Sequence, residues 1–209
     1  MIAVDKPAGV IVNETETSGA ATVVDQLRWQ APFVVHRLDR GTTGVLLLAK
    51  HGWSAAALGR SFEEREVRKI YVAIATGLVE DQRVSAAIGP DPRRPRARKL
   101  RPDGKDAITH LRSLEVNGPL SCVEARPETG RTHQIRVHLA AVELRSSGDL
   151  LYGGVDSAHV RGTLHRSTRP LLHAFRLSFS HRGRDLDLMA PMPADMLELF
   201  PSLADCNLG

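Results

Sequence analysis

Two pairs of apolar runs joined by short turns constrain the fold of this chain most strongly. Residues 108–116 and 121–126 flank an Asn-Gly-Pro turn, and residues 171–180 and 186–189 flank a turn that contains glycine. Strand-like runs separated by a few turn-forming residues predict antiparallel hairpins. The chain is therefore expected to form a sheet that is largely antiparallel.

The rest of the chain alternates strand-like and helix-like segments. In residues 68–76, Ile70, Val72 and Ile74 alternate with other residues, which predicts a strand with Tyr71 on the opposite face. The other predicted strands are residues 2–4, 33–36 and 45–50, and the predicted helices are residues 22–30, capped by Ser18 or Thr22, and residues 54–65, 132–144 and 193–200. Together these elements predict an α+β fold with a largely antiparallel mixed sheet and flanking helices.

The composition is that of an ordinary globular protein. Its 209 residues suffice for one sizeable core and contain no obvious linker, so we expect a single catalytic domain over residues 1–209. The hydrophobic and charged fractions are 42% and 25%, and the net charge of +4 permits a polyanionic partner. Aromatic residues make up only 4% of the chain, so stacking platforms for several bases are not expected.

Cysteine usage and the amino terminus predict a cytoplasmic protein. Cys122 and Cys206 lie far apart and show no Cys-x-x-Cys spacing, which favours neither a disulfide framework nor a zinc ribbon. Charged residues appear by position 5, too early for a signal peptide, and no apolar run approaches the roughly 18 residues that a membrane helix needs. We therefore expect no membrane partner.

A dense polar segment, residues 36–44, lies between two strand-like runs. It contains Asp39 with Arg37 and Arg40 on either side, followed by two glycines. Loops held by strands often carry chemistry, although a structural ion pair in a turn is the simpler alternative. A second polar run, residues 128–136, also contains arginine and opens another apolar segment. Two such runs in one small chain favour a composite site.

The residues disfavour several common chemistries. An aspartate is ionised at neutral pH and can act as a nucleophile or a base. Glycoside hydrolysis needs a second carboxyl group, and only Glu128 lies in a comparable segment. His133 and His138 are five residues apart, which places them on different faces of a helix and disfavours a metal site. The segment after Gly130 lacks the lysine of a phosphate-binding loop.

Residues 90–105 form a proline-rich basic segment. Prolines exclude a helix or a central strand, so we expect an exposed basic loop at about residues 90–105. Such a loop is either a solvated surface or a grip on a nucleic-acid backbone. Its seven basic side chains face only Asp91 and Asp103, which favours the second interpretation.

Taken in order, these segments resemble the RluA-like family of RNA pseudouridine synthases. Residues 36–44 are similar to the family signature, and Asp39 takes the place of the catalytic aspartate. The other matching segments, which carry the resemblance along nearly the whole chain, are residues 5–9, 69–71, 130–136, 148–153 and 172–174.

The resemblance implies isomerisation of specific uridines in tRNA or rRNA to pseudouridine, with no cofactor and no metal. It implies that Tyr71 stacks on a flipped base, that Arg131 holds Asp39 ionised, and that Arg37 stabilises the vacated stack. Whether Asp39 attacks C1′ or removes a ribose proton stays open. The side chains predicted to bind RNA are Arg37, Arg40, Arg93, Arg94, Arg96, Arg98, Lys99, Arg101 and Arg136.

The chain also departs from the family pattern. It begins almost at the first strand, so we expect a single catalytic domain without the S4-like domain of longer relatives. Residues 142–147 lack the His-Pro turn that is common before the Gly-Asp pair at 148–149, which leaves the geometry of that segment open. We expect a monomer whose partner is an RNA stem-loop. The competing interpretation is a catalytically silent RNA-binding protein of the same fold.

Overall fold

The structure is a computed structural model that describes residues 1–13, 21–206 and 208. The strands are β1 (Ile2–Lys6), β2 (Phe33–Val34), β3 (Thr43–Ala49), β4 (Arg68–Thr76), β5 (Gln82–Ser85), β6 (Ile88–Pro90), β7 (Arg98–Leu100), β8 (Ile108–Asn117), β9 (Leu120–Pro127), β10 (Arg145–Ser146), β11 (Ser157–Val160), β12 (Thr163–Arg166), β13 (Leu172–His181) and β14 (Arg184–Met189). The α-helices are α1 (Val23–Gln26), α2 (Gly52–Glu63), α3 (Gln134–Ala141) and α4 (Ala194–Leu197), and short 3-10 helices cover Arg28–Gln30, Leu150–Tyr152 and Pro201–Asp205.

The predicted α+β class is confirmed, because the strands are mostly antiparallel and the helices are few. The chain divides into two compact units, one comprising residues 1–69 and 174–191 and the other residues 70–173 and 192–209. The expectation of one catalytic domain over the whole chain stays a prediction. Among the described residues, no helix is both long and apolar enough to cross a membrane.

The first unit is built around β3. Every residue of β3 is buried, and β1 pairs with it in antiparallel register, with Lys6 opposite Gly44. On its other side lies β13, which forms the predicted hairpin with β14. Leu58 of α2 packs with Leu47 and Leu177 in the core of this unit. A strand that is buried on both faces has a continuous apolar sequence, and β3 shows such a sequence.

The second unit is an antiparallel sheet in the order β4, β9, β8 and β5, with α3 on one face. β8 and β9 form the other predicted hairpin. The alternation in β4 is also confirmed, because Tyr71 and Ala73 face the core cluster that contains Ile135 of α3. Period-two alternation sends neighbouring residues to opposite faces, so Ile70 and Val72 lie on the other side.

Three predicted helices are shorter than expected. The helix expected at 193–200 covers only Ala194–Leu197 and ends ahead of Pro201, because a residue before proline is disfavoured in a helix. The other two are shortened by the backbone. Residues 22–30 divide into α1 and a 3-10 turn; Thr22 caps α1 through a reciprocal capping box with Asp25, whereas Ser18 lies outside the described residues. The helix expected at 132–144 begins only after His133, whose φ of 59° is left-handed, and ends before Glu143 at φ 62°. Left-handed residues do not continue an α-helix.

The basic segment at residues 90–105 is more ordered than predicted. β6 and β7 pair as a two-stranded ribbon, with Pro90 opposite Arg98, and Ala97 is fully buried. The expectation of an exposed loop is therefore wrong in part, because the segment contains two short strands and a buried alanine. Both strands of a two-stranded ribbon are edges, and an edge tolerates proline. Most of the basic side chains are nevertheless exposed, as expected. We call residues 88–105 the basic hairpin.

Candidate active site

The opening turn and the Asp39 loop of the first unit are held together by a buried lysine. The Lys6 side chain is fully buried, and its ammonium group donates to the carbonyl oxygens of Pro7 at 2.8 Å, Val10 at 2.8 Å and Arg40 at 3.3 Å. A buried ammonium is tolerated when its donors are satisfied. Lys6 therefore fixes both segments, a role that the sequence did not reveal.

Arg40 strengthens the same junction. Its backbone carbonyl accepts from the Gly9 N–H at 2.8 Å, and its Nε donates to the Gly9 carbonyl at 3.0 Å. A turn closes the loop, because the Thr42 N–H donates to the Asp39 carbonyl at 3.1 Å. Asp39 is half-buried at the start of this turn. Hydrogen bonds to the carbonyl oxygens of Asp39 and Arg40 thus hold the backbone at this position without involving the Asp39 carboxylate.

Gly44 fixes how closely the loop approaches β13. Its φ is +109°, and a Cβ atom at this position would lie 2.2 Å from the Ala174 carbonyl oxygen. Real Cβ atoms do not come so close to backbone oxygens, and the dihedral angle itself favours glycine. The signature glycine is therefore required by packing and by backbone conformation.

His36 attaches the beginning of the loop to β3. Its Nε2 accepts from the Leu47 N–H at 2.9 Å, and its ring stacks on Phe62 with centroids 4.6 Å apart. Burial, reinforced by the nearby positive charge of Lys69, lowers the pKa of His36 from 6.5 to about 3. The imidazole is therefore neutral near pH 7, and His36 has a hydrogen-bonded, structural role.

In the second unit, Gln134 organises the polar run that contains Arg131. Its Oε1 accepts from Thr129 Oγ1 at 2.7 Å and from the Arg131 N–H at 3.0 Å. Its Nε2 donates to the Ile108 carbonyl at 2.9 Å and to Thr109 Oγ1 at 3.0 Å. All four hydrogen-bonding positions of the amide are thus used. Gln134 lies inside the polar run 128–136 and the resembling segment 130–136, but neither pattern indicated its role.

Tyr71 and Arg131 lie in this unit, whereas Asp39 lies in the first one. Tyr71 is half-buried on β4 opposite Ala125. The Nε of Arg131 donates to the Asp106 carbonyl at 2.9 Å, which orients its guanidinium group. The catalytic roles of the three residues, and the pairing of Arg131 with Asp39, stay predictions.

Arg136 forms a buried ion pair with Asp149. The two side chains are 8% and 1% exposed, and Nε and Nη2 of the arginine donate to the two carboxylate oxygens at 2.6 and 2.7 Å. The guanidinium also lies 4.9 Å from the centre of the Tyr152 ring. These contacts give Arg136 a structural role, and its predicted contact with RNA stays a prediction.

Tyr152 connects this ion pair to the basic hairpin. Its hydroxyl oxygen accepts from the Arg98 N–H at 2.8 Å and forms a 2.7 Å hydrogen bond with His133 Nδ1. Its ring packs against the small apolar cluster that contains Ile88. The basic hairpin is therefore attached to the second unit and does not extend freely into solvent.

The basic side chains of the hairpin differ in how they are held. Arg94 donates to Asp91 at 3.0 Å and to the Leu151 carbonyl at 2.9 Å, and Arg101 pairs with Asp103. The Arg93 N–H and the Arg94 guanidinium lower the pKa of Asp91. The other predicted RNA contacts that are exposed are Arg37, Arg40, Arg93, Arg96 and Lys99.

The segment without the His-Pro turn is firmly placed. β10 pairs with β4, and Leu144 is 1% exposed. The Ser147 N–H donates to the Ile74 carbonyl, and the Ser147 carbonyl accepts from Leu171. This segment therefore places Asp149 beside Arg136 without the His-Pro turn.

Comparison with known proteins identifies the family. A family model described as RNA pseudouridylate synthase matches residues 1–141, about two thirds of the chain. The chain belongs to this RNA pseudouridylate synthase family. The match contains the opening turn, the Asp39 loop and the run from Gly130 to Arg136, so the resemblance noted from the sequence is confirmed.

Relatives within the family are similar along nearly the whole chain. An uncharacterised RNA pseudouridine synthase of Chloroflexus aurantiacus is 38% identical over 96% of this chain and 66% of its own length. A ribosomal large subunit pseudouridine synthase D of Xanthomonas campestris is 35% identical, with coverages of 98% and 67%. The chain thus spans about two thirds of the length of these relatives.

Solved structures of the family share the fold. The human RNA pseudouridylate synthase domain containing 1 is 32% identical, with a TM-score of 0.74 over 98% of this chain and 82% of that chain. The human domain containing 4 has the same TM-score at 23% identity, which supports the fold alone.

Proposed function

We propose that this protein isomerises specific uridines in rRNA or tRNA to pseudouridine. The observation that carries the proposal is the Asp39 loop, in which Lys6, Arg40 and Gly44 hold the backbone of an aspartate at the position of the family's signature. The Xanthomonas relative is named as a ribosomal large subunit enzyme, which favours rRNA.

Asp39 is the proposed catalytic group. Isomerisation breaks the bond between N1 of uracil and C1′ of ribose, forms a bond between C5 and C1′, releases the C5 proton and leaves a proton on N1. A carboxylate can begin this sequence by attacking C1′ or by removing a ribose proton. Both routes require a fixed carboxylate, and the hydrogen bonds around Asp39 fix the backbone that carries it.

Base flipping is the proposed route of access. A uridine inside a helix must leave its stack, which costs a few kcal/mol. We propose that Tyr71 stacks on the flipped base, that Arg37 stabilises the vacated position, and that Arg131 orients Asp39. The half-exposed position of Tyr71 on β4 is compatible with stacking on a substrate.

The basic hairpin is proposed to bind the RNA backbone. Its exposed arginines stand on a ribbon anchored by Ala97 and by Tyr152, so they are presented from an ordered support. Ordered cations lose less conformational freedom when they bind phosphate than cations on a free loop. Proposed phosphate contacts are Arg93, Arg94, Arg96, Arg98, Lys99 and Arg101.

The test compares wild type with Asp39→Asn on rRNA and tRNA isolated from cells, without added metal or cofactor. We expect new pseudouridine, mapped by sequencing after chemical labelling, from wild type alone. RNA affinity of the variant serves as the control and should be unchanged, because the substitution keeps the size of the side chain. RNA binding without pseudouridine formation by either protein would contradict the proposal and favour the catalytically silent RNA-binding protein.

A further inference from the structure

An exposed aromatic cluster lies in the first unit, apart from the Asp39 loop. Trp53, in the first turn of α2, is 55% exposed. The rings of His51 and His181 lie nearly parallel to it, at centroid distances of 5.8 and 6.4 Å. The guanidinium carbon of Arg182 lies 4.7 Å from the centre of the Trp53 ring. We call these four residues the Trp53 platform.

Three separate elements contribute to the platform. His51 follows β3, and Trp53 belongs to α2. His181 is the last residue of β13, and Arg182 begins the turn to β14. Phe33 extends the apolar surface: it is 46% exposed, and a Cβ atom at Gly52 would lie 4.0 Å from its ring. A large exposed aromatic surface in a chain so poor in aromatic residues indicates an interaction site.

The backbone at Arg182 is a second, independent indication. His181 pairs with Arg184, which leaves Arg182 and Gly183 as a two-residue turn with φ values of +55° and +72°. Such turns favour Asn-Gly, because asparagine tolerates positive φ better than arginine does. An arginine held in this unfavourable conformation, with its guanidinium over a tryptophan, points to a role for the side chain rather than for the turn.

We propose that the Trp53 platform stacks an unpaired base of the RNA substrate. The inference rests on the proposed function in so far as RNA is the substrate. Aromatic faces and arginine guanidinium groups bind bases with little sequence preference, and the positive charge of Arg182 favours a phosphodiester chain over a neutral partner. The platform holds one base or two, consistent with the small number of aromatic residues.

The platform contacts a part of the RNA that is remote from the target uridine. The seven residues of β3 separate the end of the Asp39 loop from His51, a distance of about 23 Å at about 3.3 Å per residue. A stacked strand advances about 3.4 Å per nucleotide, so the base at the platform lies on the order of seven nucleotides from the target. The platform thereby contributes to target selection and not to the reaction.

The test measures binding of a fluorescently labelled eight-nucleotide oligoadenylate, which is single-stranded and contains no uridine. The variants are Trp53→Leu and Arg182→Asn. The matched control is Trp29→Leu, because Trp29 is the other tryptophan and is 75% exposed. We expect each platform variant to bind at least about fivefold more weakly and the control to bind like wild type.

Arg182→Asn separates binding from folding. Asparagine suits the turn, so this variant should unfold at the same temperature as wild type or higher while it binds RNA more weakly. Unchanged affinity of both platform variants, equal losses in the Trp29 control, or no binding of oligoadenylate by wild type would each overturn the proposal. Because the probe contains no uridine, failure to form pseudouridine would contradict the proposed function without altering this result.

Discussion

Replacing His36 with glutamine tests how the loop that carries Asp39 is held. The imidazole is neutral in the folded protein because its pKa is about 3, whereas a histidine in the unfolded chain titrates near 6.5. Below pH 6.5, His36 therefore binds a proton in the unfolded chain but not in the folded protein. Stability due to His36 is fully present above pH 6.5 and is lost as the pH falls towards 3.

The size of this loss follows from the two pKa values. Each pH unit between them changes the free energy of unfolding by about 1.4 kcal/mol. Protonation of His36 in the unfolded chain should therefore lower the free energy of unfolding by about 3 kcal/mol between pH 7.5 and pH 4.5. His36→Gln removes the titrating group, and its Oε1 can accept from the Leu47 N–H in place of Nε2. Other acid-sensitive groups contribute equally to both proteins.

The assay is urea unfolding of wild type and His36→Gln at pH 7.5, 6.0 and 4.5. We expect the variant to be less stable at pH 7.5, because it loses the stacking on Phe62. Wild type should then lose about 3 kcal/mol more than the variant by pH 4.5. Parallel pH profiles for the two proteins would refute the assignment of His36 as a neutral hydrogen-bond acceptor in the folded protein.

Further predictions concern the ion pair, the signature glycine and the basic hairpin. Asp149→Asn should reduce the free energy of unfolding by about 3 to 5 kcal/mol in urea, because it leaves the buried Arg136 charge uncompensated; a loss below about 1 kcal/mol would contradict this. Gly44→Ala should reduce the free energy of unfolding by at least about 3 kcal/mol in the same assay. The control Gly59→Ala, in open space on α2, should leave stability unchanged or increase it. Equal effects of the two substitutions would contradict the steric role of Gly44. The last variant replaces four arginines of the basic hairpin, Arg93, Arg94, Arg96 and Arg98, with glutamine. The slope of log affinity against log salt concentration should become shallower by about 0.7 to 0.9 for each phosphate that is no longer neutralised. An unchanged slope would show that these arginines are solvated and do not bind phosphate.

The sheet was predictable because its pattern is local. The alternation in residues 68–76 gave β4 with its observed bounds, and the Asn-Gly turn placed the β8–β9 hairpin. Period-two patterns and turn residues act over a few positions, so one sequence contains the information needed. The ends of α3 were missed because they depend on left-handed residues such as His133, which no helical pattern reveals.

The contacts that hold the candidate site were not predictable, because they join distant positions through backbone atoms. Lys6 binds the carbonyl of Arg40, and Gln134 binds the carbonyl of Ile108. Carbonyl acceptors are the same in every residue, so the sequence does not show which of them a buried side chain will meet. The polar run that contains Gln134 was visible in the sequence, whereas Lys6 was linked to the site only through the family resemblance. The same is true of Asp149, whose partner Arg136 lies 13 residues away.

Tritium release from RNA labelled at C5 of uridine measures pseudouridine formation directly. Isomerisation replaces the C5–H bond with a C5–C1′ bond, so each modified uridine releases its tritium to water, whereas cleavage of a phosphodiester or glycosidic bond releases none. We expect release by wild type and none above background by Asp39→Asn at equal RNA binding. Equal release by the two proteins, or none by wild type from RNA that it binds, would contradict the proposed function.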